Sequence, residues 1–232
     1  LDSLAQDGVR FTDFYSASAI CSPSRSALLT GRYPARTGVT GVYFPSQSLA
    51  TPLIHGFTEL GEGMNVNEIT SAQVLRDAGY ATCCVGKWHL GDKKKYRPNH
   101  RGFDHYMGLH YSNDMMPLPL FRNDKIIERS PADQNTLTQK YTKEAVRWLE
   151  KNHTQPFFLY LPHTFPHAPL HASDAFRGRS KGGLYGDCIE EIDWSTGEIL
   201  ATLERLGVAH NTFVFFTSDN GPWVQGSAGP AR

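Results

Sequence analysis

Four short strings concentrate the residue types that bond-breaking chemistry uses. Cys21-Ser22-Pro23-Ser24-Arg25 sets a thiol four residues before a guanidinium. Ser22 suits a helix N-cap and Pro23 a first turn. The spacing therefore predicts that Cys21 lies just before a helix, with Leu28 and Leu29 toward the core and Gly31 at its end. Free backbone N–H groups and the helix dipole favour an anion there. Arg25, one turn in, adds a planar cation suited to a tetrahedral oxyanion. In Gly86-Lys87-Trp88-His89-Leu90-Gly91, Lys87 and His89 are two apart, so an extended backbone points both the same way. A lysine and a histidine on one face suit anion binding and proton transfer. In Pro162-His163-Thr164-Phe165-Pro166-His167-Ala168-Pro169, two histidines lie four apart, but the prolines exclude a regular helix and with it a helical metal site. Ser218-Asp219-Asn220-Gly221 reads alone as a turn; at the end of a buried strand it offers oxygen ligands to a hard cation such as calcium.

The surrounding elements place these strings at comparable positions. Residues 1–8 read as the end of a helix, and Val9 to Ala17 as an extended segment. A helix over 69–79, with apolar residues at Ile69, Ala72, Val74, Leu75 and Ala78, stops at Gly79 and precedes the apolar run YATCCVGKW. An amphipathic helix over 138–152 precedes PFFLYLP, and a long helix over 183–207 precedes NTFVFFTSDNG. Repeated helix-then-apolar-strand units predict an α/β fold with a mostly parallel sheet covered by helices on both faces. Ligands bind such sheets beyond the carboxyl ends of the strands. Lys87 with His89, His163 with His167, and Asp219 with Asn220 all fall there. The stretches 38–63 and 92–135 read as long loops over that edge.

Composition sets limits on this reading. The chain has 232 residues, 40% hydrophobic and 20% charged, with 23 basic and 23 acidic side chains. That balance gives no support to a nucleic-acid partner, and no apolar run reaches membrane-spanning length. Four cysteines without CxxC spacing form neither a disulfide scaffold nor a zinc site. Cys83 and Cys84 read as small buried hydrophobes. Asn152-His153-Thr154 matches a glycosylation sequon at a helix end.

The string CSPSRSALLTGR, together with GKWHLG and the H-x-P context of His167, resembles the type I sulfatases of the arylsulfatase A-like branch, and the resemblance runs over essentially the whole chain. It implies an alkaline-phosphatase-like sulfatase fold. It further implies hydrolysis of sulfate esters through a formylglycine that a maturation enzyme makes from Cys21, with calcium as cofactor. By the same resemblance Cys21, Arg25 and His89 are catalytic, and Lys87, Ser112 (in HYSND) and His167 contact the sulfate. Asp219 and Asn220, with the modified Cys21, hold calcium, while His163 and His171 are structural or rim residues. The implied substrates are sulfated small molecules or sulfated carbohydrates, and the implied location is periplasmic, secreted or lysosomal. Two expectations concern what the chain omits: a first strand carrying a pair of calcium-binding aspartates, and a further lysine with a C-terminal subdomain. On that expectation 1–232 is a partial catalytic domain with weak or no activity. The competing readings are a sulfate-binding protein without activity, and a phosphate or phosphonate ester hydrolase on the same scaffold.

Overall fold

The computed structural model describes residues 1–48, 61–222 and 226. Its sheet has the order β4-β3-β2-β1-β5. The strands are β1 (Ala81–Lys87), β2 (His105–Leu109), β3 (Leu120–Arg122), β4 (Lys125–Glu128) and β5 (Phe157–Tyr160). β1 runs parallel to both neighbours, with Cys83 opposite His105 and opposite Leu159. β3 and β4 add an antiparallel hairpin beside β2.

Side chains of β1 alternate between two apolar cores, as the period of two requires. Cys83 and Val85 enter the core built with α5 (Leu137–Asn152) and α6 (Gly183–Arg205). Cys84 enters the core that includes Leu29 of α2 (Cys21–Thr30) and Ala72 of α4 (Ser71–Asp77). Helices thus cover both faces, and both cysteines are the buried hydrophobes expected. Along α5, Leu137, Tyr141, Ala145, Trp148 and Leu149 form one buried stripe at helical spacing. Full burial of each large apolar side chain contributes about 1.5–3 kcal/mol. Thr70 begins α4 with a reciprocal capping box to Gln73. Among the described residues the remaining α-helices are α1 (Asp2–Asp7) and the single turn α3 (Pro34–Thr37).

β1 ends in a bend that only glycine admits. Gly86 has φ 132°, and a Cβ there would lie 1.9 Å from the Pro162 carbonyl oxygen. That carbonyl accepts from the Lys87 N–H at 2.8 Å. Close approach of these two backbones brings the chain after β5 beside Lys87.

Several expectations are corrected. Residues 9–17 and 212–218 form no strand. Among the described residues no strand pairs with either, and their aromatics face solvent, Phe213 at 93% and Phe215 at 82% exposure. The stretch 92–135 is not one long loop but carries β2, β3 and β4. In α4, Ile69 just before the helix and Val74 within it are exposed despite their helical spacing. Of the stretch 38–63, residues 49–60 lie outside the described residues, as does the terminal stretch 227–232.

Candidate active site

Cys21 is the first residue of α2 rather than the residue before it, and the N-cap is Ile20. Ser22 is no cap: its Oγ accepts the Tyr43 N–H at 3.2 Å. Leu28 is 52% exposed, while Leu29 is buried as expected. Gly31 ends the helix in the left-handed conformation, as its position predicts. Cys21 is half-buried and sits where first-turn N–H groups lack helical partners.

Arg25, one turn on, is buried and fixed at both ends of its guanidinium. Nη1 donates to the Lys87 carbonyl at 2.7 Å, and Nη2 meets Asp219 Oδ2 at 2.8 Å. The Ser24 hydroxyl donates to the Asp219 carbonyl. Burial opposes the charge of Arg25, yet Asp219, Tyr160 and Cys21 outweigh it and raise the pKa. Asp219 is held below the usual carboxylate range: burial acts against that, and Arg25 and Lys87 overcome it.

Lys87 is 1% exposed at the carboxyl end of β1. Its Nζ lies 3.4 Å from Cys21 Sγ and donates to Ser112 Oγ at 3.0 Å. Burial and the nearby Arg25 lower its pKa. Ser112 Oγ is in turn 3.4 Å from each ring nitrogen of His167. Cys21, Lys87, Ser112 and His167 therefore form one contiguous polar line from α2, β1, the loop after β2 and the loop after β5.

His89 reaches this area by a route other than the expected one. The strand has ended, and His89 adopts φ 63°, a state that costs a non-glycine residue on the order of 1 kcal/mol. Its Nε2 is 3.1 Å from the Tyr43 carbonyl, which can only accept, so Nε2 carries the hydrogen. Nδ1 is buried without a hydrogen-bond partner among the described residues. Burial, Lys87 and Arg25 hold the pKa far below the ordinary histidine value. His167 is lowered by burial and by Lys87.

His163 is not part of the line. Its Nε2 lies 3.4 Å from Ser195 Oγ, a hydroxyl that also receives the Thr142 hydroxyl at 2.7 Å across the α5–α6 interface. His171 Nδ1 pairs with Asn135 at 2.9 Å. In the sequon, Asn152 Nδ2 donates to the Trp148 carbonyl at 2.8 Å.

At Asp219 and Asn220 the donor chemistry fits a hard cation. Asn220 Oδ1 is a buried oxygen with no hydrogen-bond partner among the described residues, and it stands next to a carboxylate kept ionised. Calcium takes about six to eight oxygens, so these two residues supply part of a shell. Among the described residues no cluster of three or more His, Cys, Asp and Glu side chains completes one.

Sequence reasoning passed over three contributors. Tyr43 holds His89 through its carbonyl and the Ser22 hydroxyl holds Tyr43 in turn, and nothing in a lone tyrosine or serine signals that. Asn113 contacts His167 Nδ1 at 3.1 Å; its place next to Ser112 was the available clue.

The sequence profile described as Sulfatase matches residues 1–232. The chain is 41% identical to N-acetylgalactosamine-6-sulfatase of Mus musculus, covering 99% of this chain and 48% of that protein. It is 37% identical to arylsulfatase G of Mus musculus, covering 99% and 49%. It thus spans about half the length of these relatives. Among solved structures it resembles, with a TM-score of 0.83 and 28% identity over 95% of this chain and 57% of the other, a protein described with the metabolism of multiple glycosaminoglycans by Bacteroides thetaiotaomicron. Among the described residues no helix is long and apolar enough to cross a membrane. A profile matched over residues 1–232, on a mixed α/β fold in which α2, β1 and the loop after β5 bring Cys21, Lys87 and His167 into one line, shows that the chain belongs to the sulfatase family.

Proposed function

We propose that the protein carrying this chain hydrolyses sulfate esters, with a formylglycine made from Cys21 by a maturation enzyme and calcium held at Asp219 and Asn220. One observation carries the reading: the Lys87 ammonium is buried between Cys21 Sγ and Ser112 Oγ, with the Arg25 guanidinium close behind. Two buried cations near each other are unfavourable without compensating negative charge. Asp219 answers Arg25. The Lys87 ammonium contacts a thiol and a hydroxyl and feels Asp219 only at a distance, and an anionic tetrahedral group beside Cys21 would answer it directly.

Asp219 and Asn220 would supply part of the oxygen shell of a calcium ion, and an aldehyde hydrate formed at position 21 would supply an oxygen nucleophile for sulfur and a second hydroxyl able to lose a proton as sulfate leaves. Lys87 donates to a sulfate oxygen and stabilises the charge that grows in the transition state. Ser112 holds the ammonium in place by accepting one of its hydrogens. His167 faces the same space and protonates the leaving oxygen. His89, with hydrogen on Nε2 and a lone pair on Nδ1, takes the proton in the releasing step. Arg25 binds no substrate directly; it fixes Asp219 and the end of β1. The substrate class we infer is a sulfated carbohydrate, in keeping with the names of the N-acetylgalactosamine-6-sulfatase and of the protein tied to glycosaminoglycan metabolism.

The test is mass spectrometry of the peptide containing Cys21, from a host that has the maturation enzyme. Replacing the thiol carbon by an aldehyde removes about 18 Da, since oxygen takes the place of sulfur and two hydrogens are lost. Sulfate and phosphate esters of one aryl alcohol are then compared on the full-length protein. An unmodified thiol, or faster turnover of the phosphate ester, overturns the reading.

A further inference from the structure

We propose that Asn113 is a positioning residue that holds His167 with its hydrogen on Nδ1, presenting Nε2 to the substrate. The inference rests on the sulfatase reading only for what His167 does with Nε2; the geometry stands without it.

Asn113 is 1% exposed, and both polar atoms of its side chain are engaged. Its Nδ2 donates to Gln134 Oε1 at 3.0 Å and to the Pro169 carbonyl at 2.9 Å. Its own carbonyl receives Gln134 Nε2 at 3.2 Å. The Pro169 oxygen can only accept, so it must face the amide nitrogen. That fixes the orientation of the Asn113 side chain and leaves Oδ1 toward the ring, 3.1 Å from His167 Nδ1. The Ala168 carbonyl, a second pure acceptor, lies 2.6 Å from the same nitrogen. A lone pair on Nδ1 would face two oxygens, so Nδ1 bears the hydrogen and Nε2 the lone pair.

Asn113 makes a second contribution through the backbone. Its bond to Pro169 ties the 167–169 segment to the loop that carries Ser112, so His167 and Ser112 are held in register. His89 is fixed the opposite way, with hydrogen on Nε2 against Tyr43. The two histidines therefore offer opposite ring nitrogens. When Nε2 of His167 takes a proton from solvent, both oxygens on Nδ1 stabilise the imidazolium. The proton then passes to the leaving oxygen as its bond to sulfur breaks.

The experiment is long-range 1H–15N NMR of the full-length protein labelled with 15N-histidine, with kinetics on an aryl sulfate beside it. The expected spectrum shows His167 with a pyrrole-type Nδ1 and a pyridine-type Nε2. Asn113→Leu should shift the Nδ1–H signal and speed its exchange with water. It should lower kcat by about tenfold or more, a part of the 10²–10⁴ that a placed general acid supplies, with KM less affected. Asn113→Asp keeps an acceptor on Nδ1 and should retain the wild-type tautomer. A wild-type His167 with hydrogen on Nε2 overturns the proposal, as does an Asn113→Leu protein with unchanged Nδ1–H shift and exchange. The tautomer is read without turnover. A protein with the expected spectrum and no sulfate ester hydrolysis would therefore refute the sulfatase activity and leave the positioning intact.

Discussion

Arg25 Nη2 and Asp219 Oδ2 stand 2.8 Å apart, joining the first turns of α2 to the segment that follows the last described helical turn. Arg25 is 5% exposed and Asp219 24%, so solvent replaces little of what either would lose. Removing one partner of a buried pair leaves an uncompensated charge, at a cost of about 3 kcal/mol. Arg25→Ala should lower stability by that amount in urea unfolding. Arg25→Lys should recover only part of it, because an ammonium cannot reach Asp219 and the Lys87 carbonyl in the same planar geometry. Equal stability of Arg25→Ala and wild type would contradict the pairing.

Lys87 should separate stability from activity. It is a buried cation with a lowered pKa, next to another buried cation. Lys87→Met keeps the stem volume and removes the charge, so the folded state should be as stable or more stable. Losing a charged donor at the reacting group should lower kcat by about 10²–10³-fold. Thermal unfolding and aryl sulfate turnover on the full-length protein check both halves. A large loss of stability would show that Lys87 serves the fold instead.

How far the sequence reveals this arrangement depends on whether a residue's partner is local. α5 and β1 are legible because their apolar periods express burial directly: Leu137 to Leu149 at helical spacing, Thr82 to Val85 as a continuous run. Gly31 announces a helix end for a similarly local reason. β2 is hidden because His105, Tyr106, Met107, Gly108 and Leu109 show no clean alternation; Gly108 is there because a Cβ would strike the Gly86 carbonyl at 1.8 Å. The β3–β4 hairpin carried a readable sign that was passed over: Asn123-Asp124 between two apolar runs, with Asn123 at φ 51°. The segments 9–17 and 212–218 have strand composition, yet composition does not supply a pairing strand, and none pairs with them among the described residues. At the site, Cys21, Lys87 and His167 could be named from their strings, while Tyr43, Ser22 and Asn113 act through contacts that only folding creates.

The loop over His89 should be loosened by a change outside the polar line. Asp92 Oδ2 accepts both the N–H and the hydroxyl of Ser46, at 3.0 and 2.9 Å. Tyr43, three residues earlier, supplies the carbonyl on His89 and is tied to Ser22. Asp92→Ala should therefore speed amide exchange at Ser46 and Tyr43 while α5 and β1 stay protected. Activity should fall through kcat, since His89 is held less firmly. Unchanged exchange at Ser46 would show that Asp92 does not anchor this loop.

Glu144 should dominate one part of the acid sensitivity. His105 Nε2 donates to its Oε1 at 2.8 Å, and Arg122 pairs with both oxygens at 2.9 and 2.8 Å. Burial alone would raise the carboxyl pKa; His105 and Arg122 overcome it and bring it from 4.5 to about 2. A folded pKa below the unfolded one means that the stabilisation is complete above pH 4.5. It is lost as pH falls from there toward 2, because the unfolded chain takes up the proton first. Arg122 is 43% exposed and screened by solvent, so the contribution is about 2 kcal/mol. Glu144→Gln should be less stable than wild type at pH 7 by that amount and should show a shallower loss between pH 4.5 and 2. Parallel stability curves for the two proteins across that window would exclude Glu144 as the titrating group.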